Sequence, residues 1–179
     1  MKTKLIIGAA VACVAALALE AAVARPAIAA VEAGLDGKYA GLWPGDQFLV
    51  LGTTRGLYLD GYGAVFTTEL KLVTGLPVTP MTPAIPPKDY IEQVYKEKIE
   101  RVAKLRTAMR GFLADTASSL DMVPADQQIV LAVTLSRYRW EQTANVPTHI
   151  LMQGRRSDLL SAKAAGPAAL DQAIKVQEY

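Results

Sequence analysis

The chain has 179 residues, 51% of them hydrophobic and 20% charged, with 19 basic and 17 acidic side chains, one histidine and one cysteine. Setting aside Lys2, Lys4 and Glu20, which fall in an apolar leader, leaves 17 basic and 16 acidic groups, a net charge of about +1. That balance gives no footprint for nucleic acid or for an anionic membrane, and the lone histidine excludes a histidine metal site.

Lys2 and Lys4 form a positive start, and residues 5–19 an apolar run of 15 residues ended by Glu20. Such a run falls short of the roughly 20 residues that span a bilayer. With small residues at cleavage spacing behind it, the segment 1–24 reads as an export signal, cut after Ala24 or, at a second A-x-A site, after Ala29. Cys13 lies within it, too early for a lipoprotein attachment site. The mature chain is then free of cysteine, with no disulfide and no thiol nucleophile, and its expected location is periplasmic or extracellular. Residues 25–46 read as an N-terminal extension and residues 47–179 as a single domain.

"QFLVLG" at 47–52 and "GLYLDG" at 56–61 are β-rich runs on either side of Thr53-Thr54-Arg55, which reads as a hairpin turn. Beyond them Ala64, Phe66, Thr68, Leu70 and Leu72 alternate with Val65, Thr67, Glu69, Lys71 and Val73, the pattern of a half-buried strand. Gly61 and Gly63 do not complete a dinucleotide fingerprint: Phe66 stands where the third glycine belongs, and a strand follows instead of a helix. They read as a bulge or bend, with Tyr58, Asp60 and Tyr62 as a candidate shallow binding site where a ligand approaches the backbone.

In residues 74–87 Pro77, Pro80, Pro83 and Pro86 recur every third residue, the repeat of polyproline II, which makes the segment a stiff connector. Asp89 and Glu92 form a capping-box pattern, and Val94, Val102, Leu105, Met109 and Leu113 mark an amphipathic helix over 89–120. Its opposite face, Lys96, Glu97, Glu100, Arg101, Lys104 and Arg110, is expected in solvent. Pro124 marks the expected end.

A strand is expected over 128–140, with Ile129, Leu131, Val133 and Leu135 on one side and Val130, Ala132, Thr134, Ser136, Tyr138 and Trp140 on the other. Residues 148–153 return as its hairpin partner, placing Trp140 opposite Thr148, Arg139 opposite His149 and Tyr138 opposite Ile150. The face holding Tyr138, Trp140, Ile150 and Met152 then needs a cover: the strands of 47–73, the proline segment or a partner. Two short helices follow, over 158–165 with Ser157 as cap and over 167–176 after Gly166.

Little catalytic chemistry remains. No nucleophile-elbow context surrounds any serine, no calcium loop is present, and no cofactor is implied. Glycosidases need only two carboxylates about 5 to 9 Å apart, and Asp60, Glu69 and Glu141 are the acids on or beside strands. Arg137, Tyr138, Arg139 and Trp140, with Arg155 and Arg156, offer guanidinium and aromatic contacts to an anionic polymer or wall glycan. The candidate binding residues are therefore Tyr58, Asp60, Tyr62, Tyr138, Arg139, Trp140 and Glu141.

The runs "RGLYLDGYGAVFTTEL", "SLDMVPADQQIVLAVTLSRYRWEQT" and "PTHILMQGRRSDLL" resemble a group of uncharacterised exported bacterial proteins, over residues 55–73 and 100–160. The resemblance implies envelope localisation and a single domain, and brings no activity or ligand. The expected fold is α+β: a mainly antiparallel sheet packed against one long amphipathic helix, with short C-terminal helices. The expected function is a noncatalytic envelope protein that binds a protein or cell-wall polymer, or itself, through the aromatic hairpin. The alternative is a small carboxylate-dependent hydrolase acting on an envelope glycan or ester.

Overall fold

The alternation in residues 64–72 sets the architecture. The computed structural model describes residues 25–45, 48–75 and 85–179, and in it Ala64, Phe66, Thr68, Leu70 and Leu72 are buried while Thr67 and Glu69 are exposed. Five strands form one sheet in sequence order: β1 (Leu49–Leu59), β2 (Gly63–Lys71), β3 (Gln128–Leu135), β4 (His149–Arg155) and β5 (Lys175–Glu178). Neighbours are antiparallel except β2 and β3, which run parallel with Phe66 beside Leu131. A parallel pair needs a long crossover. Residues 25–40 form helix α1, and the crossover is α2 (Lys88–Ser119); α3 (Arg156–Ala165) and α4 (Pro167–Ala173) follow β4. The protein is thus α+β, a mostly antiparallel sheet with one long helix and short C-terminal helices.

The segment 25–46 is not an extension. Ile28, Val31, Leu35 and Tyr39 recur at helical spacing along α1 and are buried in the core together with Trp43. Burial pushes the Tyr39 phenol well above its usual pKa, against a smaller opposing hydrogen bond from Thr68, and its ring meets Phe112 edge-on at 5.3 Å. α1 also protects the outer edge of β1, where Glu32 accepts the Gly56 N–H and Asp36 the Thr54 N–H, both at 2.7 Å. An unpaired edge invites pairing with other chains, and these carboxylates occupy its donors.

Residues 53–55 are not a hairpin turn either. They lie inside β1, at an irregularity between Leu51 and Arg55, and the turn is at 60–62. Gly61 and Gly63 have φ of 72° and 134°, a region that side-chain-bearing residues avoid, and a Cβ on Gly63 would sit 1.9 Å from the Gln128 oxygen. The glycine pair therefore turns β1 into β2 and lets β3 approach.

α2 buries Val94, Val102, Leu105, Met109, Leu113 and Ala117 as its spacing predicts. The capping box is not formed: Pro87 occupies the cap, and no side chain bonds the free N–H groups there. The helix runs to Ser119, within a residue of the expected span of 89–120, and Pro124 lies beyond its end. Arg101, expected in solvent, is buried, where it pairs with Glu97 and donates to the Leu72 carbonyl.

β3 ends at Leu135 and pairs Val133 with Ile150 and Thr134 with His149. Tyr138 and Trp140 are consequently not on the strand, Arg139 does not face His149, and Ile150 and Met152 are fully buried against the helices. Ser136 still bonds β2 through its N–H to the Leu70 carbonyl at 2.8 Å, after which the chain leaves the sheet. The last expected helix ends at Ala173 and gives way to β5, so the sheet has an edge strand at residues where a helix was expected. The leader, 1–24, and Pro77, Pro80 and Pro83 of the connector lie outside the described residues.

Candidate functional site

The two groups of candidate residues occupy opposite ends of β2. Tyr58, Asp60 and Tyr62 surround the β1–β2 turn at its start. Tyr58 is half-buried and donates to Gln127 Oε1 at 3.0 Å, whereas Asp60 and Tyr62 are exposed at the tip.

At the other end Tyr138, Trp140 and Glu141 come together in the loop after β3. The Tyr138 ring stacks on Trp140 with centroids 5.2 Å apart and planes 6° from parallel, Lys71 Nζ lies 4.0 Å from the Tyr138 centroid, and Tyr90 packs on Trp140 at 5.8 Å. The Tyr138 hydroxyl accepts the Gly75 N–H at 3.0 Å. Partial burial, with the Tyr138 phenol and the Glu97 and Glu141 carboxylates nearby, raises the Tyr90 hydroxyl pKa. It stays neutral and donates to the Thr74 carbonyl at 3.4 Å. The stack is closed on itself, since the Tyr138 ring lies between Trp140 and Lys71. Arg139 is exposed and pairs with no carboxylate among the described residues.

Glu141 lies beneath this stack and is buried. One oxygen pairs with Lys98 and the other accepts the Tyr138 N–H at 2.9 Å; both charged side chains are only 3% exposed. A carboxylate so engaged ties the loop to α2 and is poorly placed to serve as acid or base. Asp60 and Glu69 lie six residues or more apart along β2, about 20 Å at strand rise, beyond the glycosidase range. His149 is exposed, with Nδ1 3.2 Å from the Thr134 hydroxyl.

The surface that sequence reasoning missed is the outer face of the sheet. Register places Leu57, Val65, Val130, Gln153 and Lys175 in one row, and Arg55, Thr67, Ala132, Leu151 and Gln177 in the next. The opposite face carries Phe66, Leu131 and Met152, and the helices pack there: Ile28 approaches Gly56 beside Phe66, Leu159 approaches Gly154, and Arg106 of α2 pairs with Glu178. No described helix lies over the outer face; Leu49, Leu57 and Leu59 of the edge strand β1 are 46%, 53% and 42% exposed there, while Val130 at its centre is buried.

Ion pairing is uneven between the faces. On the helical side Arg25, Lys38, Lys98, Arg101, Arg106, Arg110, Arg156 and Lys163 each pair with a carboxylate, while Lys88, Lys96 and Lys104 of α2 have no carboxylate partner among the described residues. Among the described residues, Arg55, Lys71, Arg155 and Lys175 of the outer face have no carboxylate partner, and Glu69 is the one acid on the strands among them. Only Lys71 fell on a strand expected from the sequence; Arg55 was read in a turn, Arg155 beyond a strand and Lys175 in a helix, and that all four share a face depends on register.

Among the described residues no cluster of histidine, cysteine, aspartate and glutamate is able to hold a metal, and no helix is long and apolar enough to cross a membrane. Comparisons with protein-family models, curated proteins and solved structures find no match.

Proposed function

We propose that this is a noncatalytic binding module of the cell envelope, exported by its leader and working through the open face of the sheet. The observation that supports this reading is that face itself: among the described residues helices cover one side of the sheet only, and exposed leucines and cations without a carboxylate partner lie on the other. Isolated apolar surface residues are ordinary, but three exposed leucines on one strand beside unneutralised charge favour an interaction site. The aromatic hairpin end, expected as the binding surface, is better explained as a strut, because its rings and Glu141 are engaged with one another and with α2. Nothing in the arrangement favours the hydrolase: Glu141 is tied up and the other candidate acids are far apart.

A photo-crosslinking residue placed at Thr67, on the outer face, and separately at Glu100, on the exposed stripe of α2, tests the reading in living cells. Adducts are expected from position 67 and not from position 100. Equal adducts from both, or none from position 67, would remove the sheet face as the working surface.

A further inference from the structure

We infer that the open sheet face docks on a bilayer bearing anionic lipid headgroups. The inference rests on the binding-surface reading above and names its partner. Of four cations on the face, Arg55, Arg155 and Lys175 are exposed and Lys71 lies over the Tyr138 ring; they stand against the single carboxylate of Glu69. The chain's near-zero net charge, which by itself argues against a membrane surface, averages over two unlike sides, since most helical-side cations are cancelled by carboxylates and the sheet-side ones are not. Basic groups beside exposed aliphatic side chains are the signature of a surface that sits at the headgroup level.

Two further features select the bilayer from other anionic or apolar partners. A second copy would set four cations against four. A glycan is normally gripped by aromatic platforms, and the rows across this face hold none, Tyr62 being at the turn beyond them. Five strands at about 4.8 Å spacing and six residues at about 3.3 Å rise give a face roughly 20 Å square, broad enough to meet several headgroups at once.

The test is co-sedimentation of the full chain with phosphatidylcholine vesicles containing increasing phosphatidylglycerol. Two triple variants of equal charge loss are compared, Arg55→Gln, Arg155→Gln and Lys175→Gln on the sheet face, and Lys88→Gln, Lys96→Gln and Lys104→Gln on α2. The leader is common to all of them, so differences report the face. Removing sheet-face cations is expected to weaken binding to anionic vesicles about five-fold each, about 100-fold together, with the α2 triple changing it less than about three-fold. A separate Leu57→Asp variant is expected to weaken binding further, and thermal unfolding of each variant verifies its fold. Equal effects of the two triples, equal binding to purely zwitterionic vesicles, or no binding at all would overturn the inference. If vesicle binding fails while position 67 still crosslinks to a protein, the bilayer is wrong and the binding surface stands; if both fail, both fall.

Discussion

Breaking the Lys98–Glu141 pair offers the sharpest test of how the loop after β3 is held. Both side chains are 3% exposed, and Glu141 has a second bond to the Tyr138 N–H. Burial removes most of the hydration of each charge, so their mutual attraction chiefly offsets desolvation, and the pair as a whole adds little. Removing one partner leaves the other charge buried and alone. Lys98→Met or Glu141→Leu alone is therefore expected to cost about 3–5 kcal/mol, which for a chain of this size lowers Tm by roughly 6 to 20 °C. The double variant should recover most of the loss, because two apolar side chains of similar volume need no compensation. Urea unfolding of the wild type, both singles and the double gives the coupling energy directly. Singles that each cost less than about 1 kcal/mol with no coupling would show that the pair is solvated, and the account of the loop as a strut would fail.

Gly63→Ala should prevent folding or cost several times more than Gly61→Ala, because its Cβ meets the Gln128 backbone at 1.9 Å whereas Gly61 has open space around it; the latter should cost about 1–2 kcal/mol for its left-handed backbone alone, measured by thermal unfolding. If a signal peptidase processes the chain, intact mass should place the new N-terminus at Arg25 and not Ala30, since a cut after Ala29 would strip the buried Ile28 and the Arg25–Glu32 pair. Despite burial, which acts upward, hydrogen bonds from Lys163 and Lys38 hold the Asp115 carboxyl below its usual pKa. A depressed pKa contributes stability above the unfolded value that is lost as pH falls through the folded one, so Asp115→Asn should flatten the acid limb of a Tm-versus-pH curve below about pH 4, by a small amount because both bridges are partly exposed.

Much of the fold was legible because two patterns are strong locally. Residues 64–72 alternate without interruption, and the α2 stripe from Val94 to Ala117 repeats over many turns. α1 was not legible, because its apolar residues follow directly on the Ala-rich leader and share its composition; Ile28, Val31, Leu35 and Tyr39 do keep helical spacing, and that was the available signal. β5 is four residues, "KVQE", with no pattern of its own, and it exists because β4 offers an edge. Tyr138 and Trp140 extended the alternation of β3 past its true end, since aromatic residues fit a strand as well as a loop that stacks them on each other. Lys98 and Glu141 are separated by 43 positions, and nothing local reveals that two charges so far apart are buried together. The candidate site moved for a similar reason. Arg55, Lys71, Arg155 and Lys175 each sit at a solvent-side position of their own strand, but only the parallel joining of β2 to β3 gathers them onto one surface.

The central claim is that, among the described residues, helices cover one side of the sheet and leave the other open, and neighbouring residues on β2 and β3 test it. In a Cys13→Ser background, single cysteines at Thr67, Thr68, Val133 and Thr134 are exposed in turn to a water-soluble thiol reagent under native conditions, with reactivity compared with that in denaturant. Positions 67 and 134 should label readily, while 68 and 133, which face the helices, should be protected by a large factor. Equal protection at all four would mean that the outer face is covered, and the binding surface described for this protein would not exist.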